Sequence, residues 1–352
     1  MNNVLITGGS GFIGSHTCLC LIQNGYRVII VDNLTNSSYE SINRIKKILG
    51  NSNIDSNKKL DFINGDIRDE ELLNKIFKKY KSQNESINSV IHFAGLKYIS
   101  ESIISPLDYW DQNFGGTLSL VKAMAKNNCK KLVFSSSATV YGSKYKSSLK
   151  ENFYNFPINP YGETKNTVEK MLNNIQYADK KWNIMNLRYF NPIGAHVSGL
   201  LGESPILKSD SLFPSLCRVA SGELKELKIY GNDWSTRDGT CIRDYIHVMD
   251  VAEGHVKALD FLSTSENGIS SLNLGSGKNT TVLELIKVFE KVNKVKINYE
   301  FSSKRLGDPP ILIANISLAK KLLKWKPKRN IEKMCIDGWK WYLSNICKKI
   351  IL

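Results

Sequence analysis

Val4-Leu5-Ile6-Thr7-Gly8-Gly9-Ser10-Gly11-Phe12-Ile13-Gly14 is the stretch on which the reading of this chain turns. Val4, Leu5 and Ile6 form the short apolar run of a buried strand. Gly8, Gly11 and Gly14 follow at three-residue spacing and lead into a segment with helical periodicity. Each glycine answers a physical demand: a tight turn, close approach of a pyrophosphate to the backbone, and close packing of helix on sheet. The helix that starts there offers unpaired N–H groups and a partial positive charge to an anion. Glycine-rich turns also serve plain structural ends, so the neighbours have to decide.

They do so at once. Gly25 is placed to end the first helix, and Arg27-Val28-Ile29-Ile30-Val31 then runs as a second strand into Asp32. A carboxylate there, about 20 residues beyond the glycine turn, accepts hydrogen bonds from ribose hydroxyls and repels a 2′-phosphate, which selects NAD over NADP. Strands at 60–63, 90–95, 131–137 and 182–190 alternate with helical segments at 70–79, 106–126 and from Tyr161 onward. Residues 36–60 read as polar and loosely constrained, with Asn- and Ser-rich loops. The alternation predicts an α/β fold, a Rossmann-like doubly wound parallel sheet. After Asn191-Pro192 the loops lengthen and the strands shorten. The expected division is a cofactor-binding domain over 1–190 and a smaller, irregular C-terminal substrate domain over 191–352, with parts of 244–277 packing back on the first.

Composition bounds the function classes. The chain has 352 residues, 42% hydrophobic and 23% charged, which is ordinary for a globular protein. No window approaches the roughly 18 apolar residues of a membrane span, and the first strand starts too early for a signal peptide, so the expected location is cytoplasmic. Seven scattered cysteines without a C-x-x-C pair suit reduced thiols. The formal charge of +15 raises nucleic acid as a partner, but the lysines are dispersed without an arginine and aromatic cluster, and solvated faces are the expectation. The five histidines lack metal-ligand spacing, and no metal is expected.

Chemistry enters with Tyr161 and Lys165, four residues apart and so on one helix face. Tyrosine, with a pKa near 10, is a poor base unless a cation lies close. A lysine ammonium roughly 4 Å away would favour the phenolate and make Tyr161 a usable general base. Ser137 closes a sheet strand at its carboxyl end, where the crevice of such a fold opens. Its hydroxyl is expected to hold a substrate oxygen and relay a proton.

Several further segments carry a resemblance: Asp32-Asn33-Leu34, Gly65-Asp66-Ile67-Arg68, His92-Phe93-Ala94-Gly95-Leu96-Lys97, Ser135-Ser136-Ser137-Ala138-Thr139-Val140-Tyr141-Gly142, Pro160-Tyr161-Gly162-Glu163-Thr164-Lys165, Leu187-Arg188-Tyr189-Phe190-Asn191-Pro192 and Arg243-Asp244-Tyr245-Ile246-His247-Val248-Met249-Asp250. With the glycine turn they resemble the extended short-chain dehydrogenase/reductases and, within them, the UDP-galactose 4-epimerases, over nearly the whole chain. The resemblance implies resident NAD, a UDP-hexose substrate, reversible oxidation at C4 through a 4-keto sugar, and a homodimer. It implies NAD contacts from Gly8, Gly11, Phe12, Ile13, Gly14, Asp32, Asn33, Asn36, Asp66, Ile67, Phe93, Ala94, Lys97, Asn113 and Phe190, as well as Ser137, Tyr161 and Lys165. It implies substrate contacts from Lys97, Ser137, Tyr161, Asn191, Ser211, Leu212, Tyr230, Arg243, Arg305, Asp308 and Leu312. Dehydratases of this superfamily carry Thr-Asp-Glu where this chain has Ser137-Ala138-Thr139, which lacks the acid and base that elimination of water needs. Ser211 is shorter than the asparagine usual there, and Leu312, at the family's size gate, is intermediate between a restrictive tyrosine and a permissive small residue.

Overall fold

The computed structural model describes residues 2–145, 147–204, 211–305 and 307–349, with side chains as far as residue 345. The first half runs β1 (Asn3–Thr7), α1 (Phe12–Gln23), β2 (Arg27–Asp32), α2 (Glu40–Gly50), β3 (Leu60–Asn64), α3 (Glu70–Ser82), β4 (Ile87–His92), α4 (Ile99–Ile104), α5 (Pro106–Tyr109), a π-helical turn (Trp110–Gly115), α6 (Gly116–Lys126), β5 (Lys131–Ser137), α7 (Pro160–Ala178) and β6 (Asn183–Tyr189). There follow β7 (Asn191–Ile193), α8 (Leu212–Ala220), β8 (Leu227–Tyr230), β9 (Ile242–Arg243), β10 (Tyr245–His247), α9 (Val248–Thr264), β11 (Ile269–Leu274), β12 (Thr280–Thr281), α10 (Val282–Asn293), β13 (Tyr299–Ser302), β14 (Ile311–Leu312), α11 (Ser317–Leu323) and α12 (Ile331–Lys349).

Seven strands form one parallel sheet in the order β11-β6-β5-β4-β1-β2-β3. The doubly wound α/β fold is therefore present, and its order reverses between β1 and β4. Helices cover both faces. Val4 and Ile6 point into a core built with α1, α2, α9 and α11, while Leu5 between them joins the core under α3, α6 and α7. Because both faces are covered, the strands are apolar at successive positions rather than alternating. Each fully buried aliphatic side chain of β1 contributes roughly 1.5–3 kcal/mol.

Three details depart from the sequence reading. The segment after Asn36 is not loop throughout: Ile42, Ile45, Ile48 and Leu49 recur at helical spacing and bury one face of α2. The polar residues between them masked that period. The helix expected over 106–126 is interrupted by the π turn, which carries Asn113 into the interior at 2% exposure. Of its glycine pair only Gly116 serves close packing, since a Cβ there would stand 2.6 Å from Cδ1 of Ile67, whereas a Cβ on Gly115 would meet nothing closer than 3.5 Å. Finally, residues 269–274, within the 244–277 stretch expected to pack back on the first domain but not read as a strand, form β11, the seventh sheet strand, paired with β6 from Ile269↔Ile184 to Leu274↔Tyr189. Cys18, Cys20, Cys129, Cys217, Cys241 and Cys335 are buried and unpaired. The side chain of Cys347 lies outside the described residues.

Candidate active site

Backbone geometry makes the first wall. Gly8 turns out of β1 at φ +70°, and a Cβ there would come within 2.6 Å of the Ala94 nitrogen beyond β4. A Cβ on Gly14 would stand 2.2 Å from the Gly8 carbonyl oxygen. The turn therefore holds three backbone segments closer than any side chain permits. Gly11 caps α1 without a side chain, and no acidic residue occupies the first helical turn. The helix thus presents its amino-terminal N–H groups and dipole to the crevice, a ready site for phosphate. Asp32, 7% exposed, accepts from Ser10 N at 2.9 Å, Leu34 N at 2.9 Å and Ser37 Oγ at 2.8 Å. One carboxylate locks the glycine turn to the β2 loop and faces the same crevice. Asn36 Oδ1 is buried there without a partner among the described residues. An orphaned acceptor beside a carboxylate and a helix amino terminus fits the adenosine and phosphate chemistry of NAD.

The chemical centre lies where β5 meets α7. Ser137 pairs in register with Tyr189 and accepts from Thr139 N at 3.2 Å and Thr139 Oγ1 at 3.0 Å. Asn159 caps α7 through its Oδ1, which accepts from Gly162 N at 2.8 Å, and Pro160 begins the helix. Tyr161 consequently stands in the first turn, half-buried at the crevice, and Lys165 one turn deeper. Lys165 Nζ donates to Ser135 O at 2.9 Å and lies 5.9 Å from the Tyr161 ring centre.

Electrostatics differ from the sequence expectation here. Burial raises the Tyr161 phenol above its usual 10, opposed by a hydrogen bond with Ser137 and by the charge of Lys97. Lys165 is itself pulled down to about 8 by burial. In the protein alone burial outweighs the Ser137 hydrogen bond and the Lys97 charge, and the Lys165 ammonium is directed at a backbone carbonyl. Lys97 is held in turn by Glu203, 2.7 Å from its Nζ.

Side chains make the second wall. Parallel pairing of β9 with β14 sets Leu312 beside Arg243. Arg243 donates to Pro309 O at 2.7 Å and lies 3.9 Å from Asp308. The Arg305 guanidinium sits 3.7 Å over the Tyr230 ring. Asn191 Nδ2 donates to Asp244 O at 3.2 Å, and Asp244 in turn accepts from Ser276, Gly277 and Ala314 backbone N–H groups. Ser211 caps α8, and Leu212 is its first residue. Leu312 packs with Ala138, Val140 and Phe190 between the two walls.

One cleft of about 1220 Å³ joins these parts, from Asp32, Asn33 and Asn36 past Phe93, Ala94, Ser137 and Tyr161 to Tyr230, Arg243 and Arg305. Two sequence-predicted residues do not line it. Asn113 lies behind the wall, where its Oδ1 accepts from Leu96 N at 2.7 Å and fixes the Gly95-Leu96 turn. Asp66 is tied to Arg68 and Asn33 at the rim, and the Arg68 guanidinium holds its carboxyl down at about 2. The sequence reading missed Arg44, Glu203, Trp341 and Asn345, which also line the cleft. The only early signal for Arg44 was the helical period of α2, hidden by its polar residues, and no local pattern pointed to the other three.

Four histidines are buried and hydrogen-bonded, and His196 bonds to Ser198 near the surface. No group of side chains able to hold a metal occurs among the described residues. Likewise, no described helix is long and apolar enough to cross a membrane.

Comparison with known proteins agrees with this geometry. Residues 5–337 match the family model described as GDP-mannose 4,6 dehydratase. The chain is 46% identical to the UDP-glucose 4-epimerase of Bacillus subtilis, with 97% of each chain covered. It is 48% identical to a bifunctional UDP-glucose and UDP-xylose 4-epimerase of Pisum sativum, covering 97% of this chain and 96% of that one. Among solved structures, the Stenotrophomonas maltophila UDP-glucose 4-epimerase with NAD and formylated UDP-arabinopyranose superposes with a TM-score of 0.93 at 41% identity, over 99% of this chain and 100% of that one. The Bifidobacterium longum enzyme with NAD+ and UDP gives 0.92 at 43% identity, over 98% and 99%.

Proposed function

Because the chain belongs to the UDP-glucose 4-epimerase family, among the extended short-chain dehydrogenase/reductases, we infer that it interconverts UDP-galactose and UDP-glucose at C4 of the hexose. The observation that carries this reading is the single cleft in which Ser137 and Tyr161 stand between a dinucleotide wall and a pair of arginines. That order leaves room for two nucleotides end to end with the reacting carbon at their meeting point.

NAD, when bound, supplies the acceptor and donor of hydride at that carbon. Gly8, Gly11, Gly14 and the start of α1 would hold its pyrophosphate, and Asp32 and Asn36 its adenosine ribose. Tyr161 takes the proton of the 4′-hydroxyl and later returns it to the ketone oxygen. Ser137 orients that oxygen and passes the proton across. Lys165, anchored on Ser135 O, fixes α7 against β5 and so fixes the distance between Tyr161 and Ser137. The 4-keto hexose must turn over between the two transfers. Its anchor therefore lies away from C4, on the diphosphate and uridine gripped by Arg243, Arg305 and Asn191. Arginine suits that grip because its planar fork meets phosphate with two donors.

Elimination chemistry is disfavoured by the same site. Ala138 is buried and apolar, and Thr139 donates to Ser137, so neither offers a carboxyl beside the sugar. The reading includes a cytosolic homodimer, with the buried thiols suited to a reducing compartment. Purified protein given UDP-galactose is expected to yield UDP-glucose without added NAD and without net NADH. Steady accumulation of NADH would assign it instead to net oxidation of a nucleotide sugar.

A further inference from the structure

Helices α2 and α12 meet beside the cleft. Arg44, in the middle of α2, places its guanidinium 4.7 Å over the ring of Trp341 in α12. Its Nη2 donates to Asn345 Oδ1 at 3.0 Å and its Nε to Glu40 Oε1 at 3.0 Å. The Arg44 side chain is only 13% exposed, so the contact is largely sheltered from water. Trp341 is 5% exposed and is pressed against Gly202, where a Cβ would come within 2.3 Å of its ring. Its Nε1–H donates to Glu203 O at 2.9 Å, and the Glu203 carboxylate pairs with Lys97. Arg44, Trp341 and Asn345 line the same cleft as Asp32, Asn33 and Asn36, and Arg44 stands in α2, the helix that follows the loop carrying those three residues. The helix that follows β2 and its Asp32–Asn36 loop is thus strapped to α12 at the lining of the cleft.

A contact of this kind has a specific consequence. A sheltered guanidinium on an indole face is worth more than an exposed one. Resting on the reading of this cleft as an NAD site, we propose that Arg44 and Trp341 form a clasp over the adenosine end of the cofactor, and that opening this clasp limits how fast NAD leaves. Arg44 and Trp341 are positioning residues in this scheme. They bring no group to the sugar.

The test is exchange of bound radiolabelled NAD against unlabelled excess in the purified holoprotein. Arg44→Ala and Trp341→Leu are expected to exchange about tenfold faster or more than the parent, as loss of a sheltered cation–π contact implies. Trp341→Phe keeps a flat ring under Arg44 and is expected to stay within about threefold of the parent. UDP affinity should be unchanged in all three. Parental exchange rates in both Arg44→Ala and Trp341→Leu would overturn the clasp. Faster exchange accompanied by equally weakened UDP binding and a lowered unfolding temperature would also overturn it, as general loosening. If the parent protein itself carries no NAD and takes none up, the epimerase reading fails and not merely the clasp.

Discussion

The two walls of the cleft are built by opposite means. The first, from β1, α1 and β2, works through backbone: positive-φ glycine, absent Cβ atoms and helix N–H groups, with Asp32 pinning the turn by three hydrogen bonds. The second, from β7, β9 and the loops around residues 230 and 305, works through long side chains, with Arg243 and Arg305 set on short strands and an aromatic ring. A backbone site tolerates no added atom, whereas a side-chain site tolerates shortening at a graded cost. Between them stand Ser137 and Tyr161, which belong to the first wall by strand and helix and act through their hydroxyls in the proposed mechanism.

Four changes would break or sharpen this contrast. The largest effect is expected at the junction: Tyr161→Phe should lower kcat by about a thousandfold, the range of a lost general base, with NAD content and UDP affinity intact. Near-parental kcat would remove Tyr161 from proton transfer. Next comes the backbone wall. Gly14→Ala forces a methyl to 2.2 Å from the Gly8 carbonyl oxygen, and the turn must open. We expect loss of bound NAD and about 2–3 kcal/mol less stability in urea titration. Full NAD stoichiometry in that variant would show that the close approach is dispensable.

On the side-chain wall, Arg243→Ala should weaken UDP binding about 30-fold, equivalent to about 2 kcal/mol for charged hydrogen bonds, while the bound NAD stays. Loss of both ligands together, by calorimetry and denaturing extraction, would mean that the walls are not independent. The smallest effect concerns acid stability. Thr117 commits its proton to Asn113 O, so His92 donates through Nε2 and accepts from Thr7 at Nδ1. His255 donates through Nδ1 to Val251 O and accepts the Tyr189 hydroxyl at Nε2. Both are held neutral by burial, at about 3 and about 4 against an ordinary 6.5. Their folded pKa values are depressed, so the stability they retain above pH 6.5 is lost as pH falls toward those values. Each should add a slope of about 1.4 kcal/mol per pH unit below pH 6.5. Replacing His255 with Phe should reduce the slope of unfolding free energy between about pH 6 and pH 5 by that amount, and an unaltered slope would count against a neutral His255.

The legible and illegible parts of the molecule divide along the same line as the walls. Gly8, Gly11, Gly14 and Asp32 could be read from sequence because backbone geometry is set by neighbours a few residues away, and strands buried on both faces announce themselves as apolar runs. Tyr161 and Lys165 could be paired because one helical turn relates them. Tertiary structure alone decided what depends on distant residues meeting. It gave the sheet its seventh strand from residues 269–274 and turned Asn113 inward behind the cleft through a π turn. It set the Lys165 ammonium on the Ser135 carbonyl and brought the charge of Lys97 to bear on Tyr161. It also brought Arg44 to Trp341 across nearly the whole length of the chain. Charge and stacking act through space, and no local pattern records which two segments the fold will bring face to face.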